Sequence, residues 1–292
     1  MTPSSRAMSV RWLIVGHGSV GSALARRMAR AGIRPWVFDP APRVPVTDGI
    51  HLTSFQGVAL FDYAISCVMP SAAVSAVEAV RGALGPTALY LEWNTVPPDA
   101  KQRVAAAAPA GVVVDVALMD TLDQEAARPS LAVSGPQAAR AAEILRDLGF
   151  MVDEVGAACG DAARLKLSRS LFMKGLEALV IEFRAAIAPL AGRDVVLASI
   201  ERNVGPQFMS FARMLIETDR LHAARRANEL SEAVTIFGRP GRPLPVARAS
   251  VEVLHSAAAA WAAADAPPAS AGADALAAYL SEVAEEGGRA AG

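Results

Sequence analysis

The segment from Arg11 to Gly21 reads RWLIVGHGSVG, an apolar run that ends in a G-x-G-x-x-G turn, and no other stretch constrains the fold as strongly. Trp12 to Val15 is strand-like, and Ser19 to Ala31 has the apolar period of a helix that ends at Gly32. In such a turn the glycines allow a tight exit from the strand, close approach of backbone N–H groups to a pyrophosphate, and close packing of the helix. The segment therefore predicts a dinucleotide-binding β-α unit, with the phosphates at the positive end of the helix.

The acidic residue after the second predicted strand bears on the choice of cofactor. Asp39 lies 18 positions after Gly21, close to the spacing of about 20 expected for a carboxylate that binds the ribose 2′-hydroxyl. This spacing favours NAD slightly over NADP. Arg43, however, offers a guanidinium for a 2′-phosphate, and Asp39 also fits a solvated turn before a proline. The residues predicted to bind the cofactor are Gly16, His17, Gly18, Ser19, Val20, Gly21, Asp39, Val68 and Met69.

The composition excludes several classes of protein. The 292 residues suffice for two domains, 53% of them are hydrophobic, and a net charge of −1 gives no reason to expect a nucleic-acid partner. Two isolated cysteines, Cys67 and Cys159, predict packing residues in a reducing compartment, and no metal site is expected. Neither an apolar span of 18 residues nor a secretory N-terminus is found, so we expect a cytoplasmic protein without membrane contact.

Two kinds of periodicity divide the chain. Strands alternate with helices up to about Gly160, which predicts an α/β fold with a Rossmann-type, doubly wound parallel sheet over residues 10–158. Beyond it the period is helical, which predicts an all-α domain over residues 159–264, entered through a long interdomain helix from 162 to about 190. Shorter helices are predicted at 194–203, 206–219, 222–237 and 246–264. Residues 265–292 are interpreted as a linker followed by a helix or a tail.

Polar residues follow several of the predicted strands. Because ligands bind at the carboxyl ends of strands in open α/β sheets, these loops are the natural place for a substrate. Asn94 and Thr95 stand before a pair of prolines, and Asp120 and Thr121 follow the next strand. An N-cap of the following helix explains Asn94 and Thr95 about as well.

The long predicted helix carries further polar residues. Lys166 and Ser170 are one turn apart, with Lys174 loosely beside that face and Arg169 flanking it. If this part of the helix faces the cofactor, partial burial would lower the pKa of Lys166 from about 10.4 toward 7 or 8, which suits proton transfer. A solvated basic face is the alternative. The helix also has one apolar stripe, formed by Leu165, Phe172, Leu176, Leu179, Phe183 and Ile187.

The order of these parts resembles the β-hydroxyacid dehydrogenase and 6-phosphogluconate dehydrogenase superfamily, over roughly residues 10 to 185. The segment Gly160 to Lys166 is similar to the family's G-x-G-x-x-x-K, Asp115 to Asp120 falls where the family has D-x-P-V-S-G, and Glu92 to Thr95 falls where it has D-x-S-T. The resemblance implies a hydride transfer at nicotinamide, with Lys166 as the general acid/base. The C-terminal half resembles a less-studied subgroup with its own helical domain.

The chain departs from the family pattern at three places. Ser170 replaces an asparagine four positions after the lysine, and Ala162 replaces the second glycine. Where the family's D-x-P-V-S-G would present a serine and two backbone N–H groups to a substrate carboxylate, this chain offers Asp120 and Thr121. A carboxylate there repels an anionic substrate unless a cation such as Arg169 compensates. The residues expected to frame the substrate are Asn94, Thr95, Asp120, Thr121, Arg169, Ser170 and Lys174.

The resulting hypothesis is an NAD(P)-dependent oxidoreductase that acts on a small polar alcohol or carbonyl compound, hydroxyacid-like, and forms a homodimer through its helical domain. Two alternatives stay open: an imine reductase on the same scaffold, against which Lys166 argues, and a protein that binds NAD(H) without turnover. His222, Arg225 and Arg226 either form an anion-binding edge or are an exposed basic helix start.

Overall fold

The computed structural model describes residues 10–120, 122, 128–239, 241, 243–263 and 265–290, and it divides into two compact units. The first unit runs from Met1 to Lys166 and the second from Leu167 to Gly292. The predicted boundaries at 158 and 264 stay predictions.

The first unit is built on one eight-stranded sheet in the order β3-β2-β1-β4-β5-β6-β7-β8. All neighbouring strands are parallel except β6 and β7, which pair antiparallel. The parallel strands β1 to β6 therefore end at the same edge of the sheet, where the predicted polar loops lie. The strands are β1 (Trp12–Val15), β2 (Trp36–Phe38), β3 (Ile50–Leu52), β4 (Phe61–Ser66), β5 (Leu84–Glu92), β6 (Val113–Leu118), β7 (Ser130–Ser134) and β8 (Met151–Gly156).

Helices cover both faces of this sheet. Alternate residues of each strand point to opposite faces, so Trp12 and Ile14 pack into one core and Leu13 and Val15 into the other. Helices α1 and α4 contribute to the first core, and α2 and α3 to the second. This confirms the predicted doubly wound, mostly parallel sheet. The four helices are α1 (Ser19–Arg30), α2 (Ala73–Val80), α3 (Pro98–Ala107) and α4 (Ala138–Asp147).

The second unit is helical in the part that is described, as predicted. Its core contains Leu230, Leu254 and Leu276, each 0% exposed. Because Leu276 belongs to α9, the segment after residue 272 is a packed helix. The helices are α5 (Asp161–Ile187), which begins in the first unit, α6 (Arg193–Val204), α7 (Pro206–Phe237), α8 (Pro245–Trp261) and α9 (Ala273–Ala290).

Two helix predictions are wrong in detail. Residues 206–219 and 222–237 form the single helix α7, because no glycine or proline separates them. The apolar stripe of α5 is not a buried face: Leu165, Phe172 and Leu179 are 43%, 71% and 62% exposed. Helix α6 has no buried residue at all. The short strand β3 had no sequence pattern strong enough to predict it.

Candidate active site

The glycine turn after β1 has the geometry that its sequence predicts. Gly16 has φ +93°, and a Cβ there would lie 2.6 Å from the Cys67 carbonyl oxygen. A Cβ on Gly21 would lie 2.1 Å from the Gly16 carbonyl oxygen, so α1 packs directly on the turn. Gly18 is exposed, and a Cβ there would meet no described atom within 4 Å. Packing therefore requires two of the glycines, and the third leaves an open face beside the N-terminus of α1.

The surroundings of that open face fit a dinucleotide. Asp39, which follows β2, accepts hydrogen bonds from the His17 N–H at 2.7 Å and the Ala41 N–H at 2.9 Å. The carboxylate thus lies against the glycine turn, where a bound ribose would be within its reach. Among the described residues, none caps the N-terminus of α1 with a side chain, so its N–H groups are available to phosphate oxygens.

The other residues predicted to bind the cofactor lie at the same edge of the sheet. His17 is buried in the turn, Ser19 is exposed at the start of α1, and Val20 is half-buried. Val68 and Met69 follow β4, the neighbour of β1; Met69 is 65% exposed. The structure brings these residues together, and their roles as cofactor ligands stay predictions.

Four buried polar residues cross the sheet in one row. Ser66, Glu92, Asp115 and Ser134 pair in register on β4, β5, β6 and β7, and each is 0% exposed. We refer to these four residues as the polar row. Sequence reasoning missed the row because the register between strands is not visible in a single sequence. The only indication in the sequence was that each of these mostly apolar strands contains a polar residue.

Lys101 of α3 is 1% exposed and reaches the polar row. Its ammonium lies 3.0 Å from Asp115 Oδ1 and 3.7 Å from Glu92 Oε1, and it donates a hydrogen bond to the Glu92 backbone oxygen at 2.7 Å. Burial raises the pKa of Glu92, while Lys101 and hydrogen bonds from Asn94 and Ser66 act in the opposite direction. One buried cation therefore faces two buried carboxyl groups, of which Glu92 is shifted toward its neutral form.

The polar row also holds the first turn of α5. Asp115 Oδ2 accepts hydrogen bonds from the N–H groups of Gly160 at 3.1 Å and Ala163 at 2.9 Å. Ser134 Oγ accepts one from the Ala162 N–H at 2.9 Å. A carboxylate at this position satisfies orphan donors and lies at the positive end of the helix. The start of α5 is thus fixed to β6 and β7 by buried contacts.

Lys166 and Thr95 meet within the first unit. The Lys166 Nζ donates a hydrogen bond to Thr95 Oγ1 at 3.1 Å, and Lys166 is half-buried. The neighbouring Asn94 is buried; its Nδ2 donates to Ser66 Oγ at 3.0 Å and its N–H to Glu92 Oε1 at 3.2 Å. Asn94, which precedes Thr95, and the start of α5, which leads to Lys166, therefore both form hydrogen bonds with the polar row.

The remaining substrate residues predicted in the first unit belong to the segments that follow β5 and β6. The N-cap of α3 is Pro97, and no described side chain caps that helix, so Asn94 and Thr95 do not act as its cap. Asp120 is exposed and accepts a hydrogen bond from the Ser130 N–H at 2.8 Å, which joins the end of β6 to the start of β7. Thr121 lies outside the described residues.

Within the second unit, Lys174 of α5 contacts α7. Arg169 is exposed and Ser170 is 6% exposed. Lys174 forms an ion pair with Glu229 at 2.8 Å and donates to Ser170 Oγ at 3.4 Å, and Arg225 also contacts Glu229. The substrate roles predicted for Arg169, Ser170 and Lys174 stay predictions.

A second buried ionic cluster lies between α5, α7 and α8. Arg226 contacts the Glu177 carboxylate, and the Trp261 Nε1–H donates to Asp219 at 2.6 Å. Burial raises the pKa of Glu177 to about 8, opposed by Arg226, and raises the pKa of Asp219. Burial and the two nearby arginines lower the pKa of His222. His222, Arg225 and Arg226 lie in the middle of α7, so the interpretation as a basic helix start is wrong.

Other chemistries find little support in the described ranges. Burial raises the pKa of the Cys159 thiol to about 12 and raises that of Cys67, which disfavours the nucleophilic thiolates. Among the described residues, no group of three or more His, Cys, Asp or Glu side chains is arranged to hold a metal ion. No helix in the described part of the chain is both long and apolar enough to cross a bilayer.

Comparison with known sequences identifies one distant relative. No protein-family model matches the chain. A protein from Methanothermus fervidus, described as an uncharacterized 28.5 kDa protein in the 7S RNA 5′ region, is 26% identical over 175 residues. The match covers 59% of this chain and 66% of that protein, just under two thirds of the relative's length.

Comparison with solved structures identifies the fold. A conserved hypothetical protein from Sinorhizobium meliloti is 25% identical with a TM-score of 0.73, over 97% of this chain and 100% of that one. MTH1747, of unknown function and described as similar to 3-hydroxyacid dehydrogenases, is 25% identical with a TM-score of 0.66, over 84% and 96%. A 3-hydroxyisobutyrate dehydrogenase from Salmonella typhimurium is 19% identical with a TM-score of 0.70, over 93% and 99%. The fold of the chain is therefore similar to that of 3-hydroxyacid dehydrogenase-like proteins.

Proposed function

We propose that the chain is an NAD(P)-dependent oxidoreductase that transfers hydride between nicotinamide and a small polar, hydroxyacid-like alcohol or carbonyl compound. The observation that carries this proposal is the hydrogen bond between Lys166 Nζ and Thr95 Oγ1. It pairs an ammonium group with a hydroxyl group on the loop after β5, at the sheet edge that also holds the glycine turn. A proton-transfer group and a cofactor cradle then lie at one edge of one sheet.

The dinucleotide and the site residues have separate roles in this reaction. The dinucleotide, when bound, takes up or supplies the hydride. In oxidation the neutral amine of Lys166 accepts the proton of the substrate hydroxyl, and in reduction its ammonium returns that proton to the carbonyl oxygen. Asn94 and Thr95 orient the substrate oxygen beside Lys166. An amine is suited to this role because it gains and loses a proton, which a guanidinium does not do in proteins.

We infer that NAD is the preferred dinucleotide. The Asp39 carboxylate lies against the glycine turn through the His17 N–H, where a ribose hydroxyl would be its partner. A 2′-phosphate in that place would be repelled by the carboxylate. Arg43 is exposed beyond the strand, and compensation by its guanidinium is what NADP binding would require. Binding of NADPH more tightly than NADH would contradict this inference.

The enzyme proposal is tested against its rivals with purified variants. Wild type, Lys166→Met and Arg164→Met are incubated with NADH or NADPH and a panel of carbonyl compounds and cyclic imines. Arg164 is an exposed cation on the same helix and is the matched control. We expect carbonyl reduction that Lys166→Met loses about 10²-fold or more, with dinucleotide binding retained, and normal rates in Arg164→Met. Binding without turnover in every sample identifies a non-catalytic sensor, and reduction of imines alone identifies an imine reductase.

We further propose that two copies associate through the helical unit. Helix α6 buries none of its residues, and its Val195 is 72% exposed, Val196 38% and Val204 46%. On α5, Phe172 and Leu179 are 71% and 62% exposed. Together these side chains expose roughly 500 Å² of apolar surface, a large part of the about 800 Å² per partner that a standard interface buries.

The oligomeric state tests this surface directly. Val195→Glu puts a charge on the exposed face of α6, and we expect it to convert a dimer into monomers in sedimentation velocity. Leu60→Glu makes the same kind of change at a 49% exposed apolar residue of the first unit and should leave the dimer intact. A wild-type monomer at micromolar concentration would refute the proposal.

A further inference from the structure

The use of lysine in this chain is selective. Only three of its 28 cationic residues are lysines, namely Lys101, Lys166 and Lys174, and the rest are arginines. None of the three is an ordinary exposed lysine: Lys101 is 1% exposed, Lys166 is half-buried, and the Lys174 side chain is 13% exposed in an ion pair. Lysine is therefore found where a compact ammonium makes specific contacts. The proposed chemistry uses Lys166 and gives no role to Lys101.

Two chains of contacts start from the Lys101 ammonium. The first runs through the Glu92 backbone oxygen at 2.7 Å, and the Glu92 side chain accepts the Asn94 N–H, next to Thr95. The second runs through Asp115 at 3.0 Å, whose carboxylate holds the first turn of α5. Lys166 lies one turn beyond Ala163, the last residue that Asp115 contacts. The two chains meet again where Lys166 contacts Thr95.

We propose that Lys101 is a positioning residue, which fixes the loop that carries Thr95 and the helix that carries Lys166 relative to each other from beneath the active site. The proposal rests on the proposed function only for the chemical role of Lys166; the positioning itself is a property of the fold. One ammonium joins β5 to β6 and, through Asp115, to α5. An apolar residue of equal length would leave Asp115 as an uncompensated charge and would remove both links.

The alternative is that Lys101 only neutralises buried charge. Its contact with the Glu92 backbone oxygen argues against this, because a carbonyl oxygen carries no charge to neutralise. The two roles are separable, because replacing Lys101 and Asp115 together by neutral residues of similar shape removes the charge imbalance. An asparagine at position 115 keeps an oxygen for the N–H groups of Gly160 and Ala163, whereas the link to β5 is lost.

Lysine labelling reports this geometry without substrate or cofactor. Native protein is treated with a trace of acetic anhydride between pH 7 and 10, and acetylation of Lys166 and Lys174 is followed by peptide mass spectrometry. Lys174, which pairs with Glu229 in the second unit, is the internal reference. The variants are Lys101→Met, the neutral pair Lys101→Met/Asp115→Asn, and Arg103→Met as an exposed control on the same helix. Circular dichroism shows which variants are folded.

In Lys101→Met and in the neutral pair, we expect the ratio of Lys166 to Lys174 labelling to change by at least about twofold. This factor corresponds to the lower limit of the interaction energy between residues of one network. The pH profile of Lys166 should move while that of Lys174 stays fixed, and Arg103→Met should match wild type. If Lys101→Met fails to fold, the neutral pair decides, because the one buried carboxyl group that it leaves without a cation is Glu92, which burial already shifts toward its neutral form. A folded neutral pair with the wild-type ratio and pH profile overturns the proposal, whether or not the protein turns over any substrate.

Discussion

Removing the negative charge of Asp115 tests whether the buried Lys101–Asp115 ion pair contributes more to the free energy of unfolding than an exposed ion pair does. Asp115→Asn keeps the shape of the side chain and an oxygen for the start of α5. It removes the carboxylate 3.0 Å from the buried Lys101 ammonium, which then has only the Glu92 carboxyl group at 3.7 Å. Breaking a buried pair in this way costs about 3–5 kcal/mol. The matched control is Asp99→Asn, because the Arg103–Asp99 pair on α3 is 61% and 65% exposed and is expected to contribute only about 0.3–0.5 kcal/mol.

The destabilisation of Asp115→Asn should also depend on pH with a defined sign. A buried ammonium that keeps only Glu92, a carboxyl group itself shifted toward its neutral form, loses its proton more readily than a solvated one, so the unfolded chain binds more protons than the folded one. Stability then rises with pH, and the deficit of the variant should be smaller at pH 9 than at pH 6. Asp99→Asn should show no such slope in this range.

Peptide-resolved hydrogen exchange is the suitable assay, because a protein with two units need not unfold in a single transition. Peptides from β5 and β6 report the free energy of opening around the polar row, and peptides from α7 and α8 are the reference. Equal protection of β5 and β6 in Asp115→Asn and Asp99→Asn would refute the reasoning. A deficit that grows with pH would show that the charge left behind is not the one on Lys101.

Further predictions concern the glycine turn and the ionic cluster of the second unit. Gly21→Ala should destabilise the first unit and abolish NADH binding, because its Cβ would lie 2.1 Å from a backbone oxygen. Gly18→Ala should have the wild-type melting temperature and bind NADH more weakly. Thermal melts with and without NADH check both predictions. Burial raises the pKa of Glu177 from its ordinary value to about 8. The protonated form therefore stabilises the folded state fully below about pH 4.5, and this stabilisation is lost as the pH rises toward 8. Glu177→Gln should therefore flatten the fall in stability from pH 5 to pH 8, and an unchanged slope would assign it to other groups.

The architecture was predictable because it follows from local patterns. The glycine spacing from Gly16 to Gly21 and the alternation of strands and helices fix the type of sheet, and both act over a few residues. The connection between 219 and 222 in α7 was misjudged because polar residues within a helix resemble a break when only the apolar period is counted. The exposed stripe of α5 was misjudged because periodicity identifies an apolar face but not what covers it.

The site was predictable only in part, for a physical reason. Lys166, Asn94 and Thr95 could be named from motifs, and the structure brings Lys166 and Thr95 into contact. Glu92 and Asp115 appeared in the same motifs, but their pairing across β5 and β6 depends on strand register, which is a long-range property. Lys101 has no local pattern that marks it as buried, because a lysine in an Ala-rich helix normally indicates a solvated face.

The contacts of the polar row account for the buried charges of Glu92, Lys101 and Asp115 beside this sheet. Replacing a buried ionic network by well-packed apolar residues is often neutral or stabilising, so stability alone does not account for Glu92, Lys101 and Asp115. An apolar core, however, offers no acceptors for the N–H groups of Gly160 and Ala163 at the start of α5, and those groups are buried. The network supplies the acceptors and joins them to the loop of Thr95 through directional contacts. Because apolar packing is not directional, the ionic network is the arrangement that holds Lys166 and Thr95 at hydrogen-bonding distance.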